Sequence, residues 1–297
     1  MPYPETVNLA FNRAAIAADY AFGAPDADVP GAPGYWLVLR DNDILLRRDA
    51  PGGRPELPFG PDCPPGPRAV APVHIGSWRG RPLRALRLAP EADLPPGLAA
   101  VPSGYRSTAL DDGLLTLAGL GRQVLHWRDR SRICPACGGA PREIPGSFGA
   151  RCPDCAREYY PRIHPAVIVL IRRGDECLFV RKPGWPAGQY GMVAGFVEFA
   201  ESFEECVVRE VAEETGLAVE DIRYVGSQNW PFPSQIMAGF TANWAGGELV
   251  VDTTELESAA WFSAHNPPLV LPPPTSIARF IVDRYAPELV AAALSRK

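Results

Sequence analysis

Short apolar runs separated by proline- and glycine-rich breaks fill the first third of the chain. Tyr35-Trp36-Leu37-Val38-Leu39-Arg40 and Ile44-Leu45-Leu46-Arg47 flank Asp41-Asn42-Asp43, a pattern that predicts a hairpin. Val73-His74-Ile75 and residues 83–88 predict further strands, with His74 in a structural role among apolar neighbours. Residues 50–68 are dense in proline and glycine and predict a loop, with Cys63 a free thiol in it. From Asp111 to Trp127 the period becomes helical through Leu114, Leu117 and Leu125, although Gly119 and Gly121 interrupt it. This helix reads as a connector out of a small, mostly β N-terminal domain. Residues 166–171 are continuously apolar, as in a buried strand, and 177–180, 190–197, 222–228, 236–244, 248–251 and 259–262 predict more strands. Two helices interleave with them. One starts at Ser202, which with Glu205 forms a capping box, carries Phe203, Val207 and Val211 on its core face, and stops at Gly216. The other spans about 276–294. The fold class expected is α/β, an α/β/α sandwich around a mixed sheet.

The helix after Ser202 has one odd feature. Glu210, Glu213 and Glu214 stand at i, i+3 and i+4, so three carboxylates crowd one flank and repel one another. A solvated acidic face balanced by Arg209 explains that on composition alone. A divalent cation held by oxygen ligands offsets the repulsion directly.

Four of the seven cysteines form CPAC and CPDC, fourteen residues apart: Cys134, Cys137, Cys152 and Cys155. That spacing suits four thiolates closing a tetrahedron around structural Zn²⁺, with no position left for a reactive water. A pair of redox CxxC motifs is the alternative, and neither opens a βαβ pattern. Cys177 and Cys206 lie among apolar residues and read as core. The net charge of −5 argues against a generally nucleic-acid-coating surface. No stretch reaches the ~20 apolar residues of a membrane span, and the N-terminus lacks the pattern of a secretory signal. The expected location is cytoplasmic. Domain boundaries are expected at 1–125 for the N-terminal domain, 126–160 for the zinc ribbon and 161–297 for the domain that carries the acidic helix.

Gly195, Glu201 and the run Arg209-Glu210-Val211-Ala212-Glu213-Glu214-Thr215-Gly216-Leu217 fill every fixed position of the 23-residue Nudix box. Ala200 stands where many such boxes have glycine, a departure that matters if the backbone there has a positive φ. After the box, Ser227-Gln228-Asn229-Trp230-Pro231-Phe232-Pro233-Ser234-Gln235 is similar to the SQPWPFPxS signature of the NADH pyrophosphatase branch of Nudix hydrolases. Asn229 replaces a proline and Gln235 a serine. The aromatic WPFP core is intact and reads either as an apolar wall with polar Gln228 and Ser234 beside it, or as a stiff loop over a core.

The resemblance implies a Nudix fold and hydrolysis of NADH or NAD⁺ to nicotinamide mononucleotide and AMP, with Mg²⁺ or Mn²⁺ as cofactor. It also implies removal of NAD caps from RNA. It carries over Glu210, Glu214, Glu255 and the Ala194 carbonyl as metal contacts. Glu213 becomes a further ligand or helper, and Arg209 orients the glutamates with Glu201. Tyr160, Phe196 and Ala278 fall at substrate-contact positions, with Tyr160 and Phe196 brought together across a homodimer. The proton acceptor stays open among Glu213, Glu214 and Glu255. Alternatives are a preference for ADP-ribose or dinucleoside polyphosphates, and a zinc-ribbon nucleic-acid-binding protein that senses nucleotides.

Overall fold

The computed structural model describes residues 8–48 and 55–296. Part of the expected 50–68 loop lies outside the described residues. The chain separates into two compact units, one of Ala10–Ile163 with Trp230–Ser234, the other of Met1–Leu9, His164–Asn229 and Gln235–Lys297.

The first unit holds β1 (Tyr20–Phe22), β2 (Gly34–Arg40), β3 (Asp43–Arg47), β4 (Phe59–Gly60), β5 (Arg68–Trp78), β6 (Arg81–Leu88) and β7 (Leu98–Pro102). They form one sheet in the order β1-β5-β6-β2-β3-β7, with β4 also on β2. The β2–β3 hairpin pairs Leu39 with Ile44, and Asp41 takes φ +49° at its turn. β2 and β6 run parallel. Helix α1 (Asp112–Arg130) is capped by Asp111, whose Oδ1 accepts from Leu114 N. The helix is no mere connector. Its Leu114, Leu117, Ala118 and Leu125 share a core with Leu37, Leu39, Ile75 and Leu83. Its glycines have the same explanation: a Cβ on Gly121 would collide with Leu37, and one on Gly119 would come within 2.7 Å of Pro231. Gly121 lets the helix approach the sheet, and Gly119 leaves room for Pro231 and Phe11. The unit ends in a small sheet of β8 (Arg142–Glu143), β9 (Ala150–Arg151) and β10 (Glu158–Tyr159), in the order β10-β9-β8, which frames the cysteines.

The second unit contains β11 (His164–Arg173), β12 (Glu176–Arg181), β13 (Val193–Phe196), α2 (Phe203–Thr215), β14 (Ala218–Trp230), β15 (Gln235–Gly246) and β16 (Ser258–Phe262). Helices α3 (Ile277–Tyr285) and α4 (Pro287–Ser295) follow. The sheet order is β14-β15-β11-β12-β16, with β13 also on β11. β11 and β15 are parallel, and β11 pairs antiparallel with β12 and β13, so the sheet is mixed. One core lies between sheet and α2, built on Val167, Val169, Val207, Val211 and Phe240. A second lies on the opposite face with Ile168, Leu170, Phe179, Ile277 and Ile281. That is the α/β/α sandwich.

The two sheets repeat one topology. In each, a hairpin (β2–β3, β11–β12) lies parallel to a later strand (β6, β15), a short strand joins its first member (β4, β13), and a helix follows the edge strand. They differ after the short strand. The second unit inserts α2 there, whereas residues 61–67 join β4 to β5 with no regular element.

Several elements differ from expectation. The last helix breaks at Ala286-Pro287, where Ala286 leaves the helical region with ψ +52°. Proline has no N–H to continue the ladder and restricts the residue before it. Residues 248–251 form no strand. Instead Val250 N and Asp252 N donate to Thr215 O and Glu214 O, at 2.9 and 3.1 Å, capping the carbonyl end of α2. Phe203 is exposed at the first turn of α2, and the buried stripe begins at Cys206.

Candidate active site

Strand β13 turns into α2 through residues 197–202, and this turn positions the acidic cluster. Ser202 Oγ accepts from Glu205 N at 3.2 Å while Glu205 Oε2 accepts from Ser202 N at 2.8 Å, the reciprocal capping box. Gly216 closes the helix at φ +70°. Ala200 sits at φ +64°, so the glycine departure falls where a side chain is strained.

Arg209 joins the acids. Its Nε donates to Glu201 Oε1 at 2.5 Å and Nη2 to Glu201 Oε2 at 3.0 Å, a two-pronged pair. Nη1 reaches Glu210 Oε1 and Glu213 Oε2, each at 2.9 Å, and Nη2 also meets the Phe196 carbonyl. The guanidinium holds the Glu201 carboxyl down at about 2. The same contacts, Glu201 first, raise Arg209 further above its usual range. Glu210 lies over β13 only because Gly195 has no side chain, since a Cβ there would overlap its carboxylate.

Glu214 is different. It is 2% exposed, and neither of its oxygens has a hydrogen-bond donor among the described residues. Lys182 Nζ stands 3.3 Å from Oε1, an ion pair outside hydrogen-bond alignment. Burial pushes Glu214 up to about 7, against the pull of Lys182, and the charges of Glu210 and Glu255 add to the rise. Burial likewise raises Glu210; Arg209 opposes this, and Glu213 and Glu255 reinforce it. Glu255, exposed on the segment that caps α2, is therefore brought within electrostatic reach of both. A buried carboxylate without donors is costly. Its oxygens, beside further carboxylates, suit a hard divalent cation, and Glu210, Glu214 and Glu255 would hold it. Ala194, half-buried in β13, pairs with Ile168 of β11.

In the first unit, the ligand atoms of Cys134, Cys137, Cys152 and Cys155 all lie within 4.8 Å of one another. Cys134 Sγ is 2.8 Å from Tyr159 Oη. Burial raises Cys134, but hydrogen bonds from Tyr159 and from the backbone of Ala136 and Cys137 outweigh it. They bring the thiol down to about 6. Four sulfurs so gathered fit a tetrahedral thiolate site.

Two family models match the chain. The description of the first, over residues 162–280, is NUDIX domain; that of the second, over 33–127, is NADH pyrophosphatase-like rudimentary NUDIX domain. The NAD-capped RNA hydrolase NudC of Pseudomonas fluorescens is 40% identical over 263 residues, covering 88% of this chain and 91% of that one. The chain belongs to the NudC family of Nudix hydrolases. The protein of the same name from Pseudomonas aeruginosa is 41% identical over 245 residues, 82% of this chain and 84% of that one. A Nudix hydrolase from Nitrosomonas europaea superposes with a TM-score of 0.44 at 24% identity, over 54% of this chain and 90% of that chain. The rudimentary-domain match agrees with the repeated topology. The first unit keeps the Nudix sheet and lacks the helix that carries the acids.

Within this Nudix hydrolase the stretch 227–235 is divided between the units, and WPFP with Ser234 belongs to the first. Trp230 and Phe232 pack edge-on or tilted against Phe11 and Tyr105 of the first unit, ring centres 5.1–5.9 Å apart, beside Ala10 and Leu115. Pro231 is buried against Gly119, and Pro233 is exposed. Ser234 is buried and donates to the Arg162 carbonyl at 2.7 Å. Gln228 is fully buried in the second unit, where its amide donates to Thr275 O and accepts from Ile277 N, each at 2.7 Å. Both polar side chains are thus placed differently from the expected donors turned to a nucleotide. Asn229 ends the second unit's part of β14, and Gln235 begins β15 opposite His164. Ala278 is buried in the α3 core. Tyr160 and Phe196 are exposed, Tyr160 donating to Glu158 Oε2 at 2.8 Å and Phe196 edge-on to His164. Lys182 lies outside the box in an ordinary KPG turn, and nothing in its local sequence marks it as a neighbour of Glu214.

Among the described residues, no helix is long and apolar enough to cross a membrane.

Proposed function

We propose that this protein hydrolyses the pyrophosphate bond of NADH and NAD⁺, giving nicotinamide mononucleotide and AMP, and removes NAD caps from RNA by cutting the same bond. The observation that carries the reading is Glu214, a buried carboxylate whose oxygens accept no hydrogen bond among the described residues, set within electrostatic reach of Glu210 and Glu255, with Glu210 held by Arg209. The relatives named NAD-capped RNA hydrolase support the substrate. A bound Mg²⁺ or Mn²⁺ supplies positive charge to phosphate oxygens and makes a bound water more acidic. Arg209 keeps Glu201, Glu210 and Glu213 oriented, so no reorganisation is needed when charge develops. Glu213 and Glu255, the exposed carboxylates, stand where the water's proton can go. Exposed Phe196 and Tyr160 offer ring faces to the nicotinamide or adenine, and their assembly calls for a homodimer. The cysteine cluster carries structural Zn²⁺, which fits a reducing, cytoplasmic compartment.

The test is a side-by-side assay of NADH, NAD⁺, ADP-ribose and NAD-capped RNA with Mg²⁺ or Mn²⁺. NADH and NAD-capped RNA should have the highest kcat/KM; a preference for ADP-ribose, or RNA binding without turnover, refutes the reading.

A further inference from the structure

Among the described residues two cations, Arg209 and Lys182, pair with the acidic cluster, and they differ in how they are held. Arg209 is bound to Glu201, Glu210, Glu213 and the Phe196 carbonyl, and cannot leave one partner without straining the rest. Lys182 is placed beside Glu214 by the turn after β12. Arg181 braces that turn, donating to Trp185 O and Pro186 O, each at 2.5 Å, and pairing with Glu257 at 2.9 Å. Trp185 N closes the turn on Lys182 O. The backbone at 182 is thus fixed, while the side chain is 35% exposed and long. Its charge meets Glu214, 3.3 Å from Oε1.

We infer that Lys182 is a tethered counter-ion to the metal-binding carboxylate, one that a divalent cation must displace from Glu214 before the site is loaded. The inference rests on the proposed metal-dependent hydrolysis and concerns how that site is gated. An ammonium suits the role better than a guanidinium. It is a point charge on a flexible stem, without the fork that locks arginine onto carboxylates. Displacement breaks a pair in which the lysine is 35% exposed and the carboxylate 2% exposed, and the incoming cation takes over the charge compensation that the buried carboxylate loses. Without metal the charge of Glu214 is thus offset by a side chain that can swing aside when a cation enters. Once displaced, the ammonium stays anchored beside the carboxylates, where an anionic pyrophosphate must lie. Lys182 is accordingly a positioning residue that sets the metal affinity.

The test is a titration of the full chain with Mn²⁺ at pH 8.5, followed by calorimetry and by the loss of the free-ion electron paramagnetic resonance signal. The wild type is compared with Lys182→Met, which keeps the apolar stem, and with Lys182→Arg; Glu214→Gln controls for the site. Lys182→Met should bind Mn²⁺ about fivefold more tightly, Lys182→Arg should stay close to the wild type, and Glu214→Gln should bind far more weakly. A lysine that merely supported the fold would loosen the site when removed. Unchanged or weaker Mn²⁺ binding by Lys182→Met overturns the inference. No turnover is measured, so failure of NADH as substrate would leave this result standing and would count against the proposed function alone.

Discussion

Replacing Glu214 by Gln should stabilise the divalent-free protein while abolishing hydrolysis, and the gain should depend on pH in a calculable way. The folded state holds this carboxyl near 7 instead of the usual 4.5, chiefly through burial. The folded state therefore binds the proton more tightly than the unfolded chain does. The stability it contributes is complete below pH 4.5 and is lost as pH rises through 7. Ionising such a group costs the folded state about 3 kcal/mol in total. Glutamine is neutral at every pH and escapes this cost. The stability difference between variant and wild type should thus widen by about 2.5 kcal/mol between pH 5 and 8.5. Urea denaturation of both proteins, freed of Mg²⁺ and Mn²⁺, measures it, and taking the difference cancels the titrating groups that lie away from Glu214. Adding Mn²⁺ at pH 8.5 should restore the wild type selectively, since a ligand stabilises only the state it binds. A difference that stays flat across this pH range would refute the argument, as would a variant that keeps its turnover.

Ala200→Gly should raise stability by up to about 1 kcal/mol, because relief of the left-handed strain exceeds the added freedom of the unfolded chain; a lower melting temperature would refute it. Gly195→Ala should reduce kcat by about 10²-fold with the fold retained, since the new Cβ moves Glu210 off its place. Circular dichroism alongside kinetics checks that, and normal kcat would refute it. Cys152→Ser should lower bound zinc below one per chain and expose residues 134–155 to protease, because metal binding is folding energy in such a ribbon. Trp230→Ala should cost about 2 kcal/mol through lost packing against Phe11 and Tyr105. A rise in KM for NADH with no change in stability would instead make Trp230 a nucleotide wall.

What the chain's order of residues determined by itself is local. The capping box, the Gly216 stop and the i, i+3, i+4 glutamates act within one or two helical turns. They were legible because helical geometry alone sets which side chains meet. The two cysteine pairs were legible for the same reason: each knuckle is a short turn, and thiolate chemistry brings the pair together. Tertiary structure decided what depends on distant partners. Whether Glu214 is solvated or buried follows from the sheet beneath α2 and the capping segment over its end, and neither lies within the helix. Lys182 gains a role only when the turn after β12 brings it to the acid. The WPFP stretch looked like a wall because its rigidity is local, but which surface its rings meet is set by Phe11 and Tyr105, far away in sequence. The first unit's kinship was unreadable, because topology persists when the acids and their helix are gone. Strand order is held by diffuse apolar burial that many sequences satisfy.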